Sequence, residues 1–174
     1  IHAIAYLISN DSFAGVFLLE VLSFAGFLYF SGKIMFLYVD NKRIVLLMLP
    51  LLAMIVTISK AFAHGDSAEE LSLVFIAYSM YCAISMLKNK RVLSRLECFW
   101  NGICIACVFW TKYTMLGFYL GLILYVFIYY LILKKNKDLI KAIISCILGW
   151  VVITLPIFQP PATSSSVVVV VPPT

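Results

Sequence analysis

Long apolar runs, separated by short clusters of charge, divide this chain into six segments at about 12 to 32, 44 to 59, 69 to 87, 98 to 112, 114 to 133 and 142 to 158. A helix needs roughly 20 apolar residues to cross a hydrocarbon layer of about 30 Å. The first, third and fifth runs reach that length, whereas the second, fourth and sixth are short and must borrow interfacial residues. Between Cys98 and Leu133 only one charge, Lys112, interrupts the apolar sequence. As a single helix this stretch would be about 54 Å long, too long for a bilayer without extreme tilt. Two segments joined by a tight turn near Lys112 and Thr114 are therefore expected, either as two full spans or as a re-entrant pair.

The charges support the same division. With six crossings, one side of the membrane receives Lys33, Lys42, Arg43, Lys88, Lys90, Arg91, Arg95, Lys134, Lys135, Lys137 and Lys141, which is 11 of the 13 basic residues. Lys60 and Lys112 fall on the other side. A single crossing through 98 to 133 would split the basic residues almost evenly. The positive-inside rule thus favours six crossings, with the basic loops in the cytoplasm and Ile1 outside. Local signals fit these boundaries: Asp40-Asn41-Lys42-Arg43 breaks the first run, Ser67 with Glu70 reads as a capping box opening the third helix, and Pro156, Pro160 and Pro161 are expected to end the sixth.

Composition places the chain outside the soluble class. It is 64% hydrophobic and 12% charged, with a mean hydropathy of +1.06, whereas soluble domains are about 25% charged. The expected fold is all-α, a polytopic transmembrane helix bundle of about six membrane segments formed by residues 1–158. Residues 159–174, rich in Pro, Ser and Val, form a low-complexity tail expected to be disordered or artefactual. The chain opens on Ile1 without a basic n-region, so it reads as a piece of a longer protein. The net charge of +5 is accounted for by membrane orientation, and no nucleic-acid partner is expected. Five cysteines lie in or beside apolar runs, where thiols act as small hydrophobes. Cys104 and Cys107 form a C-x-x-C, but no second Cys/His pair completes a zinc site, and no metal ligands are assigned.

Candidate chemistry is confined to a few polar groups. Between Lys60 and Glu70 the chain collects His64, Asp66, Glu69 and Glu70, which could bind a divalent cation, position a sugar hydroxyl or act as a base. The plainer reading is that acidic residues favour the first turn of a helix. Glu20 falls about eight positions into the first run, where a carboxylate near the bilayer centre costs about 2.5–3.5 kcal/mol and should face the bundle or a wet cavity. A structural hydrogen bond would satisfy it as well as catalysis would. Lys112 either neutralises a phosphate or snorkels between Phe109, Trp110 and Tyr113. No Walker loop, G-x-S-x-G or H-E-x-x-H occurs.

Two of these stretches carry a resemblance. His64-Gly65-Asp66-Ser67-Ala68-Glu69-Glu70-Leu71-Ser72-Leu73 resembles the Gly-Asn-x-x-Glu-Glu-Tyr-x-Leu segment of bacterial GT-C type membrane glycosyltransferases, in the protein mannosyltransferase-like and aminoarabinose-transferase-like branch. Asn101-Gly102, then Phe109-Trp110-Thr111-Lys112-Tyr113-Thr114 and Gly117, is similar to that family's Gly-x-x-x-Gly-x-x-Phe-x-x-Lys-x-Asn stretch. The basic turn near Lys134 and the span from Gly149-Trp150 to Leu155-Pro156 also match. Asp66 and Thr114 depart from the family, which often has Asn at both positions.

The resemblance implies a multi-pass transferase in a bacterial plasma membrane, serving the cell envelope. Such an enzyme moves a sugar from a polyprenyl-phosphate donor to a lipid, glycan or protein acceptor on the outer face. Membrane lipid and the polyprenyl-phosphate donor are its implied partners, and a divalent cation its only candidate cofactor. The family's catalytic carboxylate lies in a loop before the equivalent of Ile1, so the catalytic residues are expected upstream and this piece is expected to be inactive alone. Glu69, Glu70, Asp66 and His64 would line the outer cavity, Lys112 would lie near the donor phosphate, and Glu20 would match a Glu of the corresponding family helix. Two other classes remain open: a transporter fragment, with Glu20 as a coupling carboxylate, and a structural membrane subunit.

Overall fold

The computed structural model describes residues 14–59 and 68–158. All regular structure among these residues is helical: α1 (Ala14–Tyr38), α2 (Lys42–Thr57), α3 (Ala68–Lys88), α4 (Arg95–Thr111), a 3₁₀ turn (Tyr113–Met115), α5 (Leu116–Ile132) and α6 (Asn136–Phe158). Four helical stretches are long and apolar enough to cross a membrane, within Ala14–Tyr38, Ala68–Lys88, Tyr113–Ile132 and Asn136–Pro156. At 1.5 Å per residue, α2 and α4 measure about 24 and 26 Å, short of the roughly 30 Å hydrocarbon layer.

Burial shows which solvent this bundle suits. Its buried positions include Ser23, Ser72, Ser79, Ser85, Ala77, Ala83, Ala106, Gly32 and Gly102, while Leu46, Leu47, Leu120, Leu124, Ile132 and many other large apolar side chains point outward. Water would reverse that arrangement. In lipid, association is driven by close backbone approach and interhelical hydrogen bonds rather than by hiding leucines. Two large aromatics, Tyr119 and Tyr130, are fully buried, and each has its hydroxyl bonded. No buried polar side-chain atom among the described residues lacks a partner.

Two parallel pairs form the frame. α1 lies along α3, with Ser23 Oγ donating to the Glu70 carbonyl at 3.1 Å, an offset of 47 residues, and Phe30 packing edge-on against Tyr78. The same pair ends in cations held over rings, Lys33 against Tyr29 and Tyr81 and Lys88 against Tyr38. α4 lies along α6, with Trp110 Nε1 donating to Thr154 Oγ1 at 3.4 Å. Gly102 and Gly149 make this second contact possible: a Cβ on Gly102 would overlap the Cys146 carbonyl, and one on Gly149 the Phe99 carbonyl. α3 and α4 run antiparallel between these pairs, and α5 runs back beside them.

This alternation sorts charge to the two ends. The connections carrying Lys42 and Arg43, Lys88 to Arg95, and Lys134 to Lys141 share one end, the basic end. The start of α3 and the end of α4 share the other, the acidic end. At the basic end α3 and α5 stop in the same way. Lys90 and Lys134 adopt left-handed conformations (φ 49° and 53°), and the following amides of Arg91 and Lys135 reach back to the Met86 and Tyr130 carbonyls, a Schellman closure. Met86, Tyr130 and Leu139 then cluster beneath the connections.

Several sequence boundaries shift. The break at Lys112 and Thr114 is present, with Lys112 extended between α4 and the 3₁₀ turn, so 98 to 133 forms two antiparallel segments. Asn41 caps α2 by accepting from the Arg43 amide at 3.0 Å. α1, however, continues through Lys33 to Tyr38, because Lys33 rests on tyrosine rings instead of leaving the helix. α6 starts at Asn136, ahead of the expected 142, and passes through Pro156, which therefore does not end it. A proline this near the terminus removes a single intrahelical bond, so the helix can absorb it. The expected capping box rests on Ser67, outside the described residues. One does form at Ser94 and Glu97.

Candidate functional site at the acidic end

The first turn of α3 carries Glu69 and Glu70 on neighbouring faces. Glu69 points across to α4, where its carboxylate Oε1 pairs with the Lys112 ammonium. Lys112 can reach it because the helix stops there: its backbone is extended (φ −155°, ψ 94°), and its amide still bonds the Val108 carbonyl at 2.8 Å. Both side chains are about one-third exposed (34% and 31%) at the end of the bundle.

Glu70 turns inward and is only 9% exposed. Its carbonyl, with that of Leu71, accepts from Ser23 Oγ of α1, and this bond sets the register of the two helices. That register changes the place of Glu20. It lies three residues before Ser23, about 4.5 Å along the axis, level with Ala68 and the start of α3. Glu20 is therefore half-buried at the acidic end, not midway down the paired helices, where its position in the apolar run had put it.

Glu20, Glu69, Glu70 and Lys112 thus gather at one end of the bundle. His64 and Asp66, assigned to the same cavity, lie outside the described residues. An aromatic wall flanks Lys112: Phe109 meets Trp110 at 5.2 Å and Trp150 at 6.3 Å, both edge-on, and Thr154 Oγ1 accepts from the Trp110 indole N–H while donating to the Trp150 backbone carbonyl one turn back on its own helix.

His64 and Asp66, two of the side chains proposed to meet a divalent cation, are among the residues not described. No group of three or more His, Cys, Asp or Glu side chains among the described residues is placed to hold one, and Glu69 is already engaged by Lys112. All five cysteines are free thiols, Cys82, Cys98 and Cys104 buried and Cys107 and Cys146 partly buried.

Sequence reasoning had not singled out Ser23, whose role depends on a neighbour 47 residues away. It also passed over Arg91 and Glu97 at the opposite end. There the guanidinium donates twice to one carboxylate, at 2.7 and 2.6 Å, while the Ser94 amide donates to the same group at 2.8 Å. Glu97 lies just ahead of the apolar stretch of α4, and these donors hold its carboxyl below the usual carboxylate range, Arg91 contributing most. The Ser94-x-x-Glu97 spacing was the available signal.

Compared with known protein families, curated proteins and solved structures, the chain matches none of them.

Proposed function

We propose that this chain is part of an integral-membrane glycosyltransferase that takes a sugar from a polyprenyl-phosphate donor at the acidic end of the bundle. The observation that carries the reading is the ion pair of Lys112 with Glu69 beside the inward-turned Glu70. A cation held by a carboxylate at a membrane boundary can exchange part of that contact for a donor phosphate without being desolvated alone. Glu69 then acts as the positioning residue for Lys112, and Glu70 and Glu20 offer acceptors for sugar hydroxyls. The carboxylate that activates the acceptor is assigned upstream of Ile1, as the family resemblance implies.

On this reading α2 and α4 also cross, drawing on interfacial residues at their ends, which gives six crossings. The basic end faces the cytoplasm of a bacterium and the acidic end faces outward.

The test is transfer by the complete enzyme in membranes supplied with a polyprenyl-phosphate sugar. Lys112→Ala and Glu70→Gln should each lower turnover on the order of a hundredfold, the scale set by removing one charge-stabilising group. Unchanged turnover in both variants would remove these residues from the site and the reading with them.

A further inference from the structure

The basic end holds a second arrangement that sugar transfer does not use. Between the α3–α4 connection and the first turns of α6 lies a cavity of about 240 Å³ whose polar wall is Ser94, Arg95, Asp138 and Lys141. Leu93 and Ala142 form its floor, and the same two residues wall a larger cavity of about 270 Å³ between α3, α4, α5 and α6. That larger space is lined almost entirely by apolar side chains such as Val126, Phe127 and Ile143.

The larger cavity follows from how α5 is held. Near its start the Tyr119 hydroxyl bonds Ser79 at 3.4 Å, and near its end the Tyr130 hydroxyl accepts from the Leu93 amide at 3.0 Å. Between these two attachments its inner face looks into the cavity. A void lined by apolar atoms forfeits their dispersion contacts, and in a bilayer the material that can fill it is hydrocarbon.

Charge defines the smaller cavity. Arg91, nearby, is committed to Glu97. Lys141 is held only loosely by Asp138, at 3.7 Å, and Arg95 makes no ion pair among the described residues. Two cations therefore face one carboxylate across the opening, and Lys135 and Lys137 add to the positive field. Basic pockets between helices on this kind of face suit anionic headgroups.

We propose that the two cavities together hold one anionic phospholipid from the leaflet at the basic end. Its phosphate lies against Arg95 and Lys141, and an acyl chain passes Leu93 and Ala142 into the space beside α5. The site is separate from the carboxylates of the acidic end and does not depend on the sugar-transfer reading.

The experiment uses the full chain, purified from vesicles of phosphatidylcholine with phosphatidylglycerol added, and reads retained lipid by native mass spectrometry. Phosphatidylglycerol should be retained about tenfold over phosphatidylcholine, and R95Q/K141Q should abolish the preference. K135Q/K137Q, which removes the same charge from the neighbouring connection, should keep it. Because Arg95 and Lys141 are exposed, the lipid-free melting temperature of R95Q/K141Q should match the parent and shows that the variant is folded. Equal retention of both lipids by the parent, or an undiminished preference in R95Q/K141Q, would overturn the proposal. So would equal loss in K135Q/K137Q, or displacement of the lipid by inorganic phosphate, which would indicate a site for soluble anions.

Discussion

Lys112, at the end of α4, is paired with Glu69, in the first turn of α3, so the two helices that meet at the acidic end are joined by opposite charges. The pair is about one-third exposed, and exposed pairs contribute about 0.2–1 kcal/mol. Stability alone gives this contact little weight.

That modest energy makes position separable from stability. Glu69→Gln should lower the melting temperature of the purified protein only slightly, by the equivalent of at most about 1 kcal/mol, yet reduce transfer in the complete enzyme. The exchanged pair E69K/K112E should restore the melting temperature but not transfer. Recovery of both would mean that the residues serve packing alone.

Gly102 should tolerate no side chain. Its Cα faces the Cys146 carbonyl so closely that Gly102→Ala must push α4 and α6 apart. A loss of about 1–3 kcal/mol is expected, typical of overpacking, measured as unfolding in detergent. Gly117→Ala serves as the control, since a Cβ added there would enter open space, and it should be neutral or slightly stabilising.

Tyr130→Phe removes the acceptor for the Leu93 amide. The aromatic ring still fills its place between Met86 and Leu139, so the cost is that of one backbone N–H left without its partner, about 1–3 kcal/mol. Faster hydrogen exchange confined to residues 91–94 would show that the α3–α4 connection has loosened.

Acid should weaken the basic end. The carboxyl of Glu97 is lowered in the folded protein by the Arg91 guanidinium and the Ser94 donors. A group with a depressed folded pKa contributes stability that is present above its unfolded value and is lost as pH falls through the folded one. Melting temperature should therefore fall as pH drops below the ordinary carboxylate range, and Glu97→Gln should be less stable at neutral pH with a shallower acid slope. Parallel pH profiles for parent and variant would contradict the assignment.

Sidedness can be checked directly. A single thiol placed at residue 66, in a background with the five native cysteines replaced, should react with a reagent that cannot cross lipid while cells are intact. Reaction only after the bilayer is opened would invert the orientation proposed for the acidic end.

The lengths of the apolar runs were sufficient for an all-helical chain with membrane-length segments, because each helix in lipid must satisfy its own backbone and so announces itself as a continuous apolar run. The break at Lys112 and the collection of basic connections on one face were legible for the same reason. Contacts between helices were not. The proximity of Glu69 to Lys112, the level of Glu20, the bond from Ser23 and the close crossing at Gly102 and Gly149 depend on the offset between paired helices. A uniformly apolar run carries almost no information about that offset, since every face is tolerated by lipid. It is decided by where small residues let backbones touch and where a few hydroxyls find carbonyls, and those matches exist only once the helices are side by side.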